Sequence, residues 1–154
     1  EQRHTSMTLE AIFASLHMLA ILTAVVFMSS QAALCRTEWM NAAVVRRLAR
    51  LDVIYVGALL VLLLTGVVRL VWGIKGWDWY VSQPLFHWKM LLFVVMAALA
   101  VWPSIQLRKW HQALEATGAL PAEDAVRAVR RWIMVQAHIM PVIAVIAVFW
   151  VRGM

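Results

Sequence analysis

A chain of 154 residues holds one domain and is too short for two sizeable ones. Its residues are 64% hydrophobic and only 14% charged, with a mean hydropathy of +0.78. Soluble globular chains carry about 25% charged residues, so composition excludes that class and marks an integral membrane protein. The net charge of +6 does not mark a nucleic-acid binder, because the arginines cluster beside apolar runs, where they set topology and meet anionic lipid. Cys35 is the single cysteine, which excludes an intrachain disulfide and any CxxC or CxxCH site for zinc or covalent haem.

Residues 1–6, EQRHTS, precede Met7 and read as leader residues outside the fold. Four apolar runs follow, at 8–33, 51–73, 84–107 and 132–151, each long enough for the roughly 20 helical residues that cross a bilayer core. The fold expected over 7–154 is therefore an all-α, four-helix transmembrane bundle. The first run is too long for a cleaved signal, follows Glu10 and lacks a cleavage site, so it stays in the mature protein. Arg36, Arg46, Arg47 and Arg50 lie in the first loop, and Arg108, Lys109, Arg127, Arg130 and Arg131 lie in the third. The second loop offers only Lys75 against Asp78. The positive-inside bias then places both termini outside the cytoplasm, in a bacterial inner membrane. Trp72, Trp77, Trp79, Trp88 and Trp150 suit an outer aromatic belt, and Trp39, Trp110 and Trp132 an inner one. Thr117-Gly118 predicts the end of the third helix. Pro121 with Glu123 and Asp124 predicts the start of the fourth, so the third loop should be a helical hairpin reaching past the membrane. Pro103 and Pro141 fall inside spans, where neighbouring helices can satisfy the freed carbonyls.

Ionisable side chains inside spans cost about 2.5–3.5 kcal/mol each on insertion scales and mark candidate sites. By helical rise, Arg69 lies about 6 Å, Lys89 about 8 Å and His17 about 14 Å below the outer ends of their helices. Glu10 sits two turns from His17 on the same face. Glu10, His17, Arg69 and Lys89 thus form one candidate cluster in the outer half. His87 and Lys89 are about 200° apart around their helix, so only one can face the interior. Lys89 is the deeper; it either meets a partner there or snorkels to the headgroups, as Arg69 can. His87 suits the interface. His17 is too deep to snorkel, and two readings stand: a neutral histidine bonded to a neighbouring helix, or a ligand to haem or metal. Pairing His17 with His138 across one haem needs them level, and the span estimates leave about 7 Å between them.

On the second helix Asp52, Tyr55, Gly66 and Arg69 lie along one stripe that should face the bundle, with Asp52 in a charge pair with an arginine at the inner surface. Gly57, Ala58, Gly66, Ala97 and Ala100 permit close helix approach. Nine methionines raise copper as a lesser option, with Met134/His138 and His87/Met90 as donor pairs, although no dense methionine array concentrates donors.

The segments SLHMLA, RRLARLD, VRLVWGIKGWDWY, PLFHWKM and WPSIQLRKW together resemble a bacterial family of predicted four-helix membrane proteins of unknown function. More distantly, Leu16-His17, Arg46-Arg47-Leu48-Ala49-Arg50, Gly66 and His87-Trp88-Lys89 resemble motifs of the HemJ-type protoporphyrinogen IX oxidases. There is also a similarity to copper-resistance D-type membrane domains. The HemJ resemblance implies a b-type haem associated with His17 and Lys89. The aromatic-histidine-glycine continuation after the HxK motif is absent here, so it implies a site and a cofactor rather than porphyrinogen oxidation.

The function expected from these readings is haem b binding in the inner membrane with a redox role, as an electron-transfer protein or small oxidoreductase. His17 would be the iron ligand, Lys89 a second ligand or a charge, Arg69 the partner of a propionate, and Glu10 a further member of the site. His87 and His138 form a second tier. A non-enzymatic accessory or transport-related protein, whose polar cluster locks helix packing, is the alternative, and copper handling the third. Membrane lipids, a second copy of the chain and a respiratory or redox protein are the partners expected.

Overall fold

The computed structural model describes residues 2–72, 78, 82 and 84–151; within these, the side chains at 6, 69, 70, 72, 85, 86, 89, 147, 150 and 151 are not described. Among the described residues the long elements are α1 (Gln2–Leu34), α2 (Ala42–Trp72), α3 (Pro84–Thr117) and α4 (Glu123–Val151), with a 3-10 turn at Thr37–Trp39 between α1 and α2. All four helices are long and apolar enough to cross a membrane, over Gln2–Leu34, Ala42–Val68, Met90–Thr117 and Glu123–Ile146. α1 begins at Gln2, so residues 2–6, expected to lie outside the fold, are helical.

Local chemistry sets the loop ends. Asn41 caps α2, its Oδ1 accepting the Val44 amide at 3.0 Å. α3 ends where expected: Gly118 takes φ +72°, a left-handed value that a residue with a Cβ resists. The Gly118 amide then donates to the Leu114 carbonyl at 2.9 Å. Glu123 and Asp124 occupy the first turn of α4, and Arg46 of α2 pairs with Glu115 of α3 at 3.3 Å. The third loop is thus the helical hairpin that the sequence predicts.

Each helix packs against its two chain or end neighbours: α1 on α2, α2 on α3, α3 on α4, and α4 back on α1. The buried stripe on α1 is Ala20, Ala24, Met28 and Gln31, and on α2 it is Val45, Leu48, Asp52, Tyr55, Leu59 and Leu62. These are the three- and four-residue spacings of a helix face turned to a core. Small residues on α1 let α2 approach closely. Trp110, expected in the inner aromatic belt, is buried, whereas Trp39 and Trp132 are exposed as a belt requires. The reason is rotational: Trp110 falls on the interior stripe of α3 with Leu107 and Leu114.

Pro103 sits inside α3 without breaking it. It has no amide hydrogen, so the carbonyl four residues earlier, Leu99, loses its helical donor. Gln136 of α4 replaces it, Nε2 donating to the Leu99 oxygen at 3.4 Å. The same side chain accepts the Tyr55 hydroxyl proton at Oε1, 2.8 Å away. One fully buried glutamine therefore ties α2, α3 and α4 together.

Candidate functional site

His17 lies part-buried on α1, facing α2 at Thr65 and Gly66. Its Nδ1 is 2.7 Å from Thr65 Oγ1, and a Cβ built on Gly66 would stand 3.7 Å from His17 Cε1. The ring thus lies within van der Waals range of the Gly66 backbone position. The Thr65 hydroxyl is 2.7 Å from the Val61 carbonyl and 3.3 Å from that of Leu62. A carbonyl can only accept, so the single hydroxyl proton points to the helix backbone. The oxygen facing His17 must then accept, which puts the ring proton on Nδ1 and the lone pair on Nε2. The Thr65 contact orients the ring, and in the neutral form it presents Nε2, the nitrogen that could coordinate a metal.

The other expected site residues are placed unevenly. The side chains of Arg69 and Lys89 lie outside the described residues, and Glu10 is part-buried on α1. His87 is exposed on α3. His138 is exposed too, its Nδ1 2.6 Å from the Met134 carbonyl of its own helix. It lines a groove of about 390 Å³ with Leu92, Arg131, Met134, Val135, Ile139 and Val142. The levels of the helices separate it from His17. Thr65 is ten residues along α2 from Tyr55, while His138 is two residues along the parallel α4 from Gln136, the partner of Tyr55. His138 therefore lies about 12 Å deeper than His17 and faces outward, so the structure does not bring the two together. Among the described residues no three of His, Cys, Asp and Glu converge on a point that could hold a metal ion.

Asp52 departs from its expected role. It is 3% exposed and takes its hydrogen bond from the Ser104 hydroxyl, 2.6 Å from Oδ2. Arg108 acts on it only from a distance, and Gln31 lies beside it, although Gln31 Nε2 makes no hydrogen bond. The charge pair with an arginine is replaced by a hydroxyl, because the inward face of α3 at this level presents Ser104 while Arg108, one turn on, is exposed. Sequence reasoning missed the Tyr55–Gln136–Leu99 network as well. Its signal was present: a glutamine inside one span and a proline inside its neighbour, whose freed carbonyl needs a donor.

Beside the 3-10 turn, Cys35 is fully buried, with Sγ 3.7 Å from the Val126 carbonyl that accepts its proton. Burial pushes its thiol up to about 11, against a smaller opposing pull from Arg130, so it stays protonated at neutral pH.

A bundle of four apolar helices with polar side chains bonded across its interior is the architecture of a multi-pass membrane protein. The chain belongs to the family described as Predicted membrane protein (DUF2214), which matches residues 9–154. No curated protein and no solved structure matches it.

Proposed function

We propose that this protein binds haem b in the outer half of its bundle, with His17 as the principal axial ligand, and that it serves a redox role in a bacterial inner membrane. The observation that carries the reading is the 2.7 Å contact between His17 Nδ1 and Thr65 Oγ1. Because Thr65 gives its proton to Val61, a neutral His17 ring donates from Nδ1 and keeps its lone pair on Nε2 for the iron. Haem asks for one or two protein ligands, since the macrocycle supplies the rest, and this suits a bundle whose described residues assemble no three-donor cluster. Bound haem would supply one-electron transfer; the chain's own part is to orient the imidazole, keep it neutral and shield it from water.

Register supports Lys89 as a second ligand or positive charge. Counted from the Asp52–Ser104 bond, the level of Thr65 falls on α3 at Leu91, about 3 Å from that of Lys89. Spacing also sets Lys89 one turn from Phe93, which packs against the core. Arg69 follows Thr65 by one turn and would meet a propionate; Glu10 closes the outer side. Both termini are assigned to the non-cytoplasmic side because the arginine-rich loops share the opposite end. Fusion reporters at the two ends test this, and cytoplasmic signal from either would refute it.

The haem assignment is tested by the reduced-minus-oxidised absorption spectrum of the protein purified after haem-replete expression. A Soret band with a reduced alpha band is expected. A colourless protein would instead favour the second reading, in which the His17–Thr65 bond only locks α1 to α2.

A further inference from the structure

We propose that the corner where α1 passes into the 3-10 turn, against the first turns of α4, binds a phosphate mono- or diester between the guanidinium groups of Arg36 and Arg130. Cys35 anchors this corner, since its thiol donates to the Val126 carbonyl and the 3-10 turn packs on α4. Arg36 follows Cys35 directly, and Arg130 follows Val126 by one turn. The charge of Arg130 is felt at Cys35, the residue that Arg36 follows, so both arginines belong to this corner. Each side chain is part-buried, and the Nε atom of each is buried without a hydrogen-bond partner. The Arg36 guanidinium lies over the Trp39 ring, 5.2 Å from its centre.

Among the described residues no carboxylate pairs with these two cations. Glu115 pairs with Arg46 and His111, and Glu123 pairs with Arg127. Partly desolvated guanidinium groups without a counter-charge are costly, and a phosphate answers both with charge-assisted, fork-shaped hydrogen bonds. The neighbouring Arg47 and Arg50 differ, being exposed to solvent. Arg36 lies just past the end of the first apolar span, which closes at Leu34. Lipid headgroup phosphates gather at that depth, and a soluble phosphate ester could also reach it.

Two measurements on the full chain separate these sources. In phosphatidylcholine nanodiscs doped with phosphatidylglycerol, native mass spectrometry reads retained anionic lipid. In lipid-free detergent, inorganic phosphate against chloride at equal ionic strength reads the shift in unfolding midpoint. Retention of phosphatidylglycerol is expected to fall about tenfold or more in R36Q/R130Q, the worth of one charged hydrogen bond or more. R47Q/R50Q should match wild type, and R36K/R130K should fall between, since lysine keeps the charge and loses the fork. Stabilisation by inorganic phosphate that vanishes in R36Q/R130Q, without lipid retention, would support the site and identify a soluble ligand. Equal losses in the two glutamine pairs would overturn the proposal, as would a wild type that responds to neither probe. Should R36Q/R130Q fail to fold, R130Q alone is read against R47Q by the same criteria.

Discussion

Toward the loop end of the bundle the helices bury Leu48, Leu107, Val129 and Ile133 around Asp52, Tyr55, Ser104 and Gln136, whose polar groups find partners within the protein. Toward the end that carries the termini, the buried side chains described are fewer, chiefly Ala20, Leu62, Thr65 and Met96, and His17 stands among them only part-buried. Asp52, Tyr55, Ser104 and Gln136 donate and accept inside the bundle, as packing requires in a medium without water. At His17 the Thr65 hydroxyl fixes Nδ1 of the ring. The first arrangement specifies a fold, and the second is the one on which the haem proposal rests.

Exchanging the groups that define each half should break this contrast in opposite directions. Thr65→Val removes the acceptor of the His17 Nδ1 proton while keeping the shape. Haem affinity should drop about 10–100-fold, the usual cost of losing the group that orients a metal-bound histidine, with the unfolding midpoint nearly unchanged; haem titration of the apoprotein reads it. Gln136→Leu should do the reverse, leaving haem binding intact. It leaves the Tyr55 hydroxyl only the weak Met28 Sδ acceptor at 3.8 Å and strips Leu99 of its donor, at about 1–3 kcal/mol in reversible unfolding from mixed micelles. Asp52→Ala should cost about 0.6–1.7 kcal/mol by the same assay, the range for single interhelical hydrogen bonds in membranes. Asp52→Asn, which still accepts from Ser104, should cost less than half of that. If Asp52→Ala instead emptied the haem site, the division between the halves would fail.

The smallest effect is expected at Cys35. Its thiol holds its proton to about 11 in the folded chain, against an ordinary 9.0 when exposed. Its contribution to stability is therefore full below pH 9 and lost as pH rises from there through about 11, because only the unfolded chain releases the proton in that window. Alkylation by iodoacetamide at pH 8 should be slow in the folded protein and fast after denaturation. Fast labelling of the folded protein would show that the corner opens.

Much of the frame was legible in the sequence. Span length and arginine placement marked the helices and the loop end, and Thr117-Gly118 with Glu123 and Asp124 marked the hairpin, because these signals are local. Side-chain partners across helices were not legible. Periodicity says which face of α2 carries Asp52 but not that Ser104 rather than Arg108 stands opposite, since that depends on the register of α2 against α3. The same holds for Trp110, whose amphipathic ring suits a belt or a core until the rotation of α3 is known. The place of His17 within the first apolar run was readable from the sequence; its bond to Thr65 required the register of α1 against α2.

The central claim is that His17, and not the buried network of the loop half, holds the cofactor. Haem bound per polypeptide, measured side by side in wild type, His17→Ala and Tyr55→Phe after haem-replete expression, tests it most directly. The account predicts that His17→Ala loses most of its Soret absorbance while eluting as a folded protein, and that Tyr55→Phe retains wild-type haem despite a lowered unfolding midpoint. Retention of full haem by His17→Ala, or its loss in Tyr55→Phe alone, would contradict the account.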